Sequence, residues 1–152
     1  MKWFATMLAF AFCMDAALGA PRIFWASDPV RPGETVMLQG GDFGTNAVVE
    51  IAGSETKRWT RAQVLQADDQ CAKFLLPPDW KMGIVSCRVN ADGVVSPPVL
   101  INAPAPWWLQ GDSGGAVSPG GRLRVFGRSL NFGGRSRARL ADEAGKVFTL
   151  LA

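Results

Sequence analysis

Apolar and polar residues alternate along this chain in short runs that Gly and Pro interrupt. Residues 34–39 place Val36 and Leu38 on the same side, because successive side chains of a strand point to opposite faces. No long segment has apolar residues at the 3.6-residue period of a helix. The pattern predicts an all-β protein. The predicted strands are residues 22–25, 34–39, 47–51, 57–60, 63–66, 71–76, 83–90, 94–102, 107–110, 121–127, 135–140 and 147–151.

One β-rich sequence motif occurs twice, first from Pro32 and again from Pro119. Each copy has a Pro-Gly turn, an alternating strand and a Gly-rich corner, which Phe43 closes in the first copy and Leu130 in the second. Such a recurrence indicates one domain type used in tandem. We therefore predict an immunoglobulin-like β-sandwich over residues 20–102, a Pro-rich linker at 103–106, and the first half of a truncated second domain at 107–152.

The N-terminal residues 1–19 have the features of a secretory signal peptide. Lys2 precedes an apolar run, Trp3 to Met14, that is too short to span a membrane, and Ala17-Leu18-Gly19 fits a small-x-small cleavage site. We expect a secreted, periplasmic or cell-surface protein with no stable membrane span. A short hydrophobic N-terminal strand is the alternative.

Two cysteines, Cys71 and Cys87, follow the predicted cleavage site. An even pair in an exported protein suggests a disulfide. Alternation turns Cys87 inward but Cys71 outward, so the bridge requires Cys71 to lie just before its regular strand. Two free thiols, one of them buried, remain the alternative.

Positive charge is concentrated in the second half of a chain whose formal net charge is +3. This excess of positive charge is too small to predict nucleic-acid binding, and we expect no such partner.

Two rows of arginines are candidates for ligand binding. Arg135, Arg137 and Arg139 alternate with small or apolar residues, so they project from one strand face. Arg122 and Arg124 do the same on the preceding strand. Such rows suit the carboxylates of an acidic polysaccharide, because guanidinium and carboxylate pair in a fork. A solvated outer face is the alternative.

Tryptophan is frequent, and an exposed indole ring can stack on the C–H face of a sugar. Trp59 and Trp80 lie in loop-like contexts and are the candidates for carbohydrate binding, with core packing as the alternative. Trp107 and Trp108 follow the linker. We expect at least one of them to pack at the junction between the two domains.

One segment matches the nucleophile motif of trypsin-like serine proteases, namely Gly111-Asp112-Ser113-Gly114-Gly115. That serine needs a histidine base, and the chain contains no His. We interpret the run as a Gly/Ser loop. We predict no catalytic residue, no metal site and no cofactor within residues 1–152.

The first repeat resembles the IPT/TIG family of early-set immunoglobulin-like domains. The family pattern of Pro, Pro-Gly turn, alternating strand and G-x-x-F-G corresponds to Pro29, Pro32-Gly33 and residues 36–44. Its later signature corresponds to residues 74–77 and 83–89. The second copy matches only in its first half, and Leu130 replaces the Phe.

Residues 105–130 resemble the N-terminal region of secreted pectate-lyase-superfamily proteins, in which immunoglobulin-like modules precede a parallel β-helix that acts on polysaccharide. This resemblance implies a non-catalytic accessory or spacer function. It also implies a polysaccharide lyase or glycoside hydrolase domain beyond Ala152 as an intramolecular partner. The alternative is the start of a cell-surface adhesion or structural array of tandem immunoglobulin-like domains.

Overall fold

A computed structural model describes residues 19–53, 56, 58–132, 136–141 and 144–151. The predicted signal peptide therefore lies outside the described residues, except for Gly19. All regular structure in the described part is β, which confirms the predicted class. The strands are β1 Arg22–Ala26, β2 Thr35–Gly41, β3 Val48–Gly53, β4 Thr60–Arg61, β5 Gln63–Ala67, β6 Cys71–Leu75, β7 Val85–Ala91, β8 Val94–Val95, β9 Val99–Ile101, β10 Ala105–Gln110, β11 Arg124–Arg128, β12 Arg137–Ala141 and β13 Val147–Leu151.

Strands β1 to β9 form an immunoglobulin-like sandwich, as the sequence predicted. One antiparallel sheet has the order β1-β2-β6-β5, and the other has the order β4-β3-β7-β8 with β9 also paired to β7. This assignment of sequential strands to two opposed sheets is the arrangement of immunoglobulin-like domains. The predicted strand over residues 94–102 is divided into β8 and β9, because Pro97 and Pro98 lack the N–H groups that a continuous ladder needs.

The core lies between the two sheets and follows the alternation read from the sequence. Val36 and Leu38 of β2 are fully buried, and Phe43 closes one end of the core at the glycine-rich corner. Its other buried apolar members are Val30, Ala47, Val49, Ile51, Ala72, Phe74, Leu76, Val85, Cys87, Val89 and Ile101. The shared face of Val36 and Leu38, the inward position of Cys87 and the closing role of Phe43 are therefore confirmed.

Beyond the sandwich, β10 pairs with β11 and β12 pairs with β13 in two separate antiparallel sheets. Large apolar side chains on both ribbons are exposed, among them Leu109, Val125 and Phe148. Two-stranded ribbons bury little apolar surface on their own. This part of the chain therefore gains less from apolar burial than the sandwich does.

The first copy of the sequence repeat begins the sandwich with a bulged strand pair. Ile23 of β1 lies opposite Gly40 of β2, and Trp25 lies opposite Gln39, so Phe24 is the extra residue of a β-bulge. A bulge of this kind leaves one residue unpaired and increases the local twist.

The second copy repeats this register. Pro106 lies opposite Gly127, and Trp108 lies opposite Phe126, so Trp107 is the extra residue. The sequence repeat is therefore a structural repeat that includes the position of the bulge.

The glycine opposite each bulge has the same packing role in both copies. A Cβ on Gly40 would lie 1.9 Å from the carbonyl oxygen of Arg22, and one on Gly127 would lie 2.2 Å from that of Ala105. The corner that follows also repeats, since Asp42 has φ 60° and Ser129 has φ 55°. Both glycines are required because the neighbouring strand approaches too closely for any side chain.

Candidate functional site

An open cleft of about 460 Å³ lies at one end of the sandwich. One wall is the connection between β3 and β4, and the other is the loop that joins β6 to β7. The lining residues are Gly53, Thr56, Arg58, Thr60, Asp79, Trp80, Lys81, Met82, Gly83 and Ile84. The cleft therefore combines an indole ring with two cations and one carboxylate.

Trp80 is held in this cleft by a turn that the sequence dictates. Pro77 and Pro78 end the β6 segment, and the Trp80 N–H donates to the Pro77 carbonyl over 3.0 Å. The Trp80 ring is partly buried against the core. Arg58 and Lys81, in contrast, are exposed at the cleft. A partly buried aromatic surface is thus bordered by two exposed cationic side chains.

Trp59 does not contribute to the cleft. The Arg88 guanidinium lies over the Trp59 ring, with Cζ 4.0 Å from the ring centroid. Arg88 Nε also donates to Glu50 Oε2 over 2.7 Å. Trp59 therefore packs over an ion pair that links β3 to β7. The two tryptophans predicted for carbohydrate binding lie in different environments.

The predicted arginine rows are only partly described. Arg137 and Arg139 lie opposite Leu151 and Thr149, so they share one face of the β12–β13 ribbon, and both are exposed. Arg135 lies outside the described residues. The predicted position of Arg122 within a strand is wrong, because β11 begins only at Arg124. Arginines 124 and 137 also belong to different sheets, so strand pairing does not join the two rows.

The disulfide expected between Cys71 and Cys87 is absent, and both are free cysteines. Cys71 lies in β6 opposite Gln39, on the outer face of its sheet, whereas Cys87 lies in β7 opposite Ile51 and is buried. One thiol faces away from the core and the other into it. A bridge would require the backbone to move, because both Cβ vectors must point towards each other.

The Gly111 to Gly115 run forms a tight turn rather than a presented nucleophile. Short bridges pair Gly111 with Gly114 and Ser113 with Ala116. The Ser118 N–H donates to Asp112 Oδ1 over 2.9 Å, and this hydrogen bond lowers the pKa of the Asp112 carboxyl. The side chain of Asp112 thus stabilises the turn, in agreement with the Gly/Ser loop read from the sequence.

The expectation that Trp107 or Trp108 packs at the junction is wrong, since both side chains are largely exposed. Contact across the junction includes an ion pair between Arg128 Nη2 and Asp28 Oδ2 at 3.1 Å, and Arg128 Nη1 also donates to the Asp28 carbonyl over 3.4 Å. Arg128 occupies the place that Gly41 has in the first copy of the repeat. This departure from the repeat was the sequence signal for the contact.

Comparison with protein-family models gives no match, and comparison with curated proteins gives none either. Among the residues that the structure describes, none belongs to a helix long and apolar enough to cross a membrane.

Proposed function

We propose that this chain is a non-catalytic, immunoglobulin-like accessory region of an exported polysaccharide-active protein of the pectate-lyase-superfamily type, and that it contacts acidic glycan. The observation that supports glycan contact is the cleft that joins Trp80 to Arg58 and Lys81. The resemblances of residues 21–102 and 105–130 supply the rest of the proposal.

The cleft has the groups that a uronate residue needs. The ring of Trp80 offers a flat apolar surface for the C–H face of the sugar. Arg58 and Lys81 offer cationic donors for its carboxylate, with Arg58 able to bind in a fork. Asp79 offers an acceptor for sugar hydroxyl groups. A neutral sugar would use the ring and the acceptor but would offer no carboxylate to the Arg58 guanidinium.

Titration calorimetry with a galacturonate hexamer tests this proposal on residues 20–152. Arg58→Glu is expected to weaken binding at least about tenfold, because a carboxylate would then face the ligand's own carboxylate. Arg61→Glu is the matched control, since Arg61 is exposed on β4 but does not line the cleft. Equal binding by the parent and the Arg58→Glu variant would contradict the proposal.

The second candidate is a cell-surface adhesion or structural array of tandem immunoglobulin-like domains. The ion pair between Asp28 and Arg128 favours it, because a fixed junction suits an extended array. The coding sequence beyond codon 152 distinguishes the two functions. Short strand repeats with Asn and Gly ladders would indicate a β-helix enzyme, whereas further Pro-Gly and G-x-x-F units would indicate an array.

A further inference from the structure

Each copy of the repeat exposes two consecutive aromatic residues at its bulge. In the first copy, Phe24 is 74% exposed and Trp25 is 48% exposed. In the second copy, Trp107 is 72% exposed and Trp108 is 55% exposed. Large aromatic side chains usually bury most of their surface. Their exposure at the same structural position twice in one chain indicates a surface that has a function.

The register shows that Trp25 lies on the outer face of its sheet and that Trp108 shares one face of its ribbon with Phe126. Trp25 lies opposite Gln39, whose neighbour Leu38 is buried in the core. Since adjacent residues of a strand point to opposite faces, Gln39 and Trp25 point outward. Trp108 and Phe126 lie opposite each other on one face of the β10–β11 ribbon, and both are exposed.

The surroundings of Trp25 are polar. A cleft of about 420 Å³ is lined by Phe24, Trp25, Gln39, Gly40, Asp68, Gln70 and Cys71. Asp68 is fixed there because its Oδ1 accepts the N–H groups of Gln70 and Cys71, each over 2.8 Å. The aromatic surface is thus bordered by two planar amides and one oriented carboxylate, which bind hydroxyl groups.

Trp108 is likewise bordered by polar side chains. Its ring stacks on Phe126, with centroids 4.8 Å apart and an interplanar angle of 24°. Gln110 and Arg124 form the next pair on the same face of the ribbon. An amide and a guanidinium therefore border a surface made of two rings.

We propose that the two aromatic pairs are a repeated binding surface for a neutral polysaccharide of β-linked pyranose rings with equatorial hydroxyl groups. Such rings expose flat C–H faces that stack on indole, and their hydroxyl edges reach the bordering amide, carboxylate and guanidinium groups. A purely apolar partner would leave these polar groups without hydrogen bonds. The inference rests on the proposed function only in taking a glycan as the ligand, because its residues are not those of the Trp80 cleft.

Titration calorimetry of residues 20–152 with cellohexaose is the direct test. Trp25→Ala and Trp108→Ala are each expected to halve the number of cellohexaose molecules bound, because each removes the stacking ring of one surface, and the double variant is expected to lose binding. Phe148→Ala is the matched control, because Phe148 is an exposed aromatic residue of β13 outside both surfaces. Circular dichroism on every variant establishes that the sandwich remains folded.

Three outcomes would overturn the inference. These are no binding of cellohexaose by the parent, parent-like binding by the folded double variant, and dimers of the parent that the double variant does not form. The last outcome would identify a second copy of the chain as the occupant. The galacturonate experiment remains independent, since binding that depends on Arg58 but not on Trp25 or Trp108 would support the proposed function alone.

Discussion

At the scale of single residues, the two cysteines show how strand alternation decides chemistry. Cys87 points into the core, and burial raises the pKa of its thiol to about 12. Cys71 lies on the outer face of the neighbouring sheet and is half-exposed. Thiolate, not thiol, is the reactive species, so Cys87 is unreactive while the sandwich is folded.

We expect iodoacetamide at pH 8 to modify Cys71 in the folded protein and Cys87 only after unfolding. Peptide mass spectrometry of alkylated samples with and without urea measures this directly. Cys71→Ser is the control, since the peptide that contains Cys87 should remain unmodified in the folded variant. A bridged peptide containing both cysteines in the untreated protein would contradict the prediction.

The buried Cys87 thiol also makes the free energy of unfolding depend on pH in the alkaline range. Its pKa is higher in the folded state, about 12, than the ordinary value of 9.0, so the unfolded chain loses the proton first. The stabilisation is therefore fully present below pH 9 and is lost as the pH rises towards 12.

At the scale of elements, the bulged strand pair depends on a glycine at one position. Gly40 lies under the β1 backbone, where a Cβ would meet both the Arg22 carbonyl and the Phe43 ring at less than 3 Å. At Gly41 the nearest atom to a Cβ is 4.0 Å away, on Phe24. Two adjacent glycines in one strand therefore have opposite tolerance for a methyl group.

We expect Gly40→Ala to lower the free energy of unfolding by about 1–3 kcal/mol, because the backbone of β1 must move. Gly41→Ala, the matched control, is expected to change it by less than about 1 kcal/mol. Urea unfolding followed by tryptophan fluorescence measures both values. Similar losses in the two variants would argue against the close approach as the cause.

At the scale of the whole molecule, Asp28 connects the sandwich to the β10–β11 ribbon. Its side chain is only 8% exposed, its Oδ2 pairs with Arg128, and its Oδ1 accepts the Asn102 N–H over 3.0 Å. The Asn102 side chain in turn bonds the backbone N–H and C=O of Val30, each over 2.8 Å. One carboxylate thus ties together the β1–β2 loop, the end of β9 and the end of β11.

We expect Arg128→Ala to increase hydrogen exchange of the β10–β11 amides and to lower the free energy of unfolding by about 1–2 kcal/mol. Arg128 is partly exposed, so solvent screening keeps the loss below that of a fully buried pair. Arg124→Ala is the control, because Arg124 lies on the same strand without this contact.

A double-mutant cycle with Asp28→Asn isolates the pair itself. Additive losses in Arg128→Ala and Asp28→Asn would show that the ion pair does not hold the junction.

The sequence by itself determined the all-β class, the inward residues of the sandwich, the Phe43 corner and the repeat. These are local properties, because alternation, Pro-Gly turns and glycine corners act over a few neighbouring residues. The same alternation showed that Cys71 points outward.

Only the tertiary structure decided which side chains meet. It separated Trp59 from Trp80, placed Arg128 on Asp28, left Cys71 and Cys87 apart, and exposed Trp25 and Trp108 beside a shared bulge. These relationships depend on strand register and on the pairing of sheets. Both are set by contacts between residues far apart in the chain, and no local pattern of apolar and polar positions encodes them.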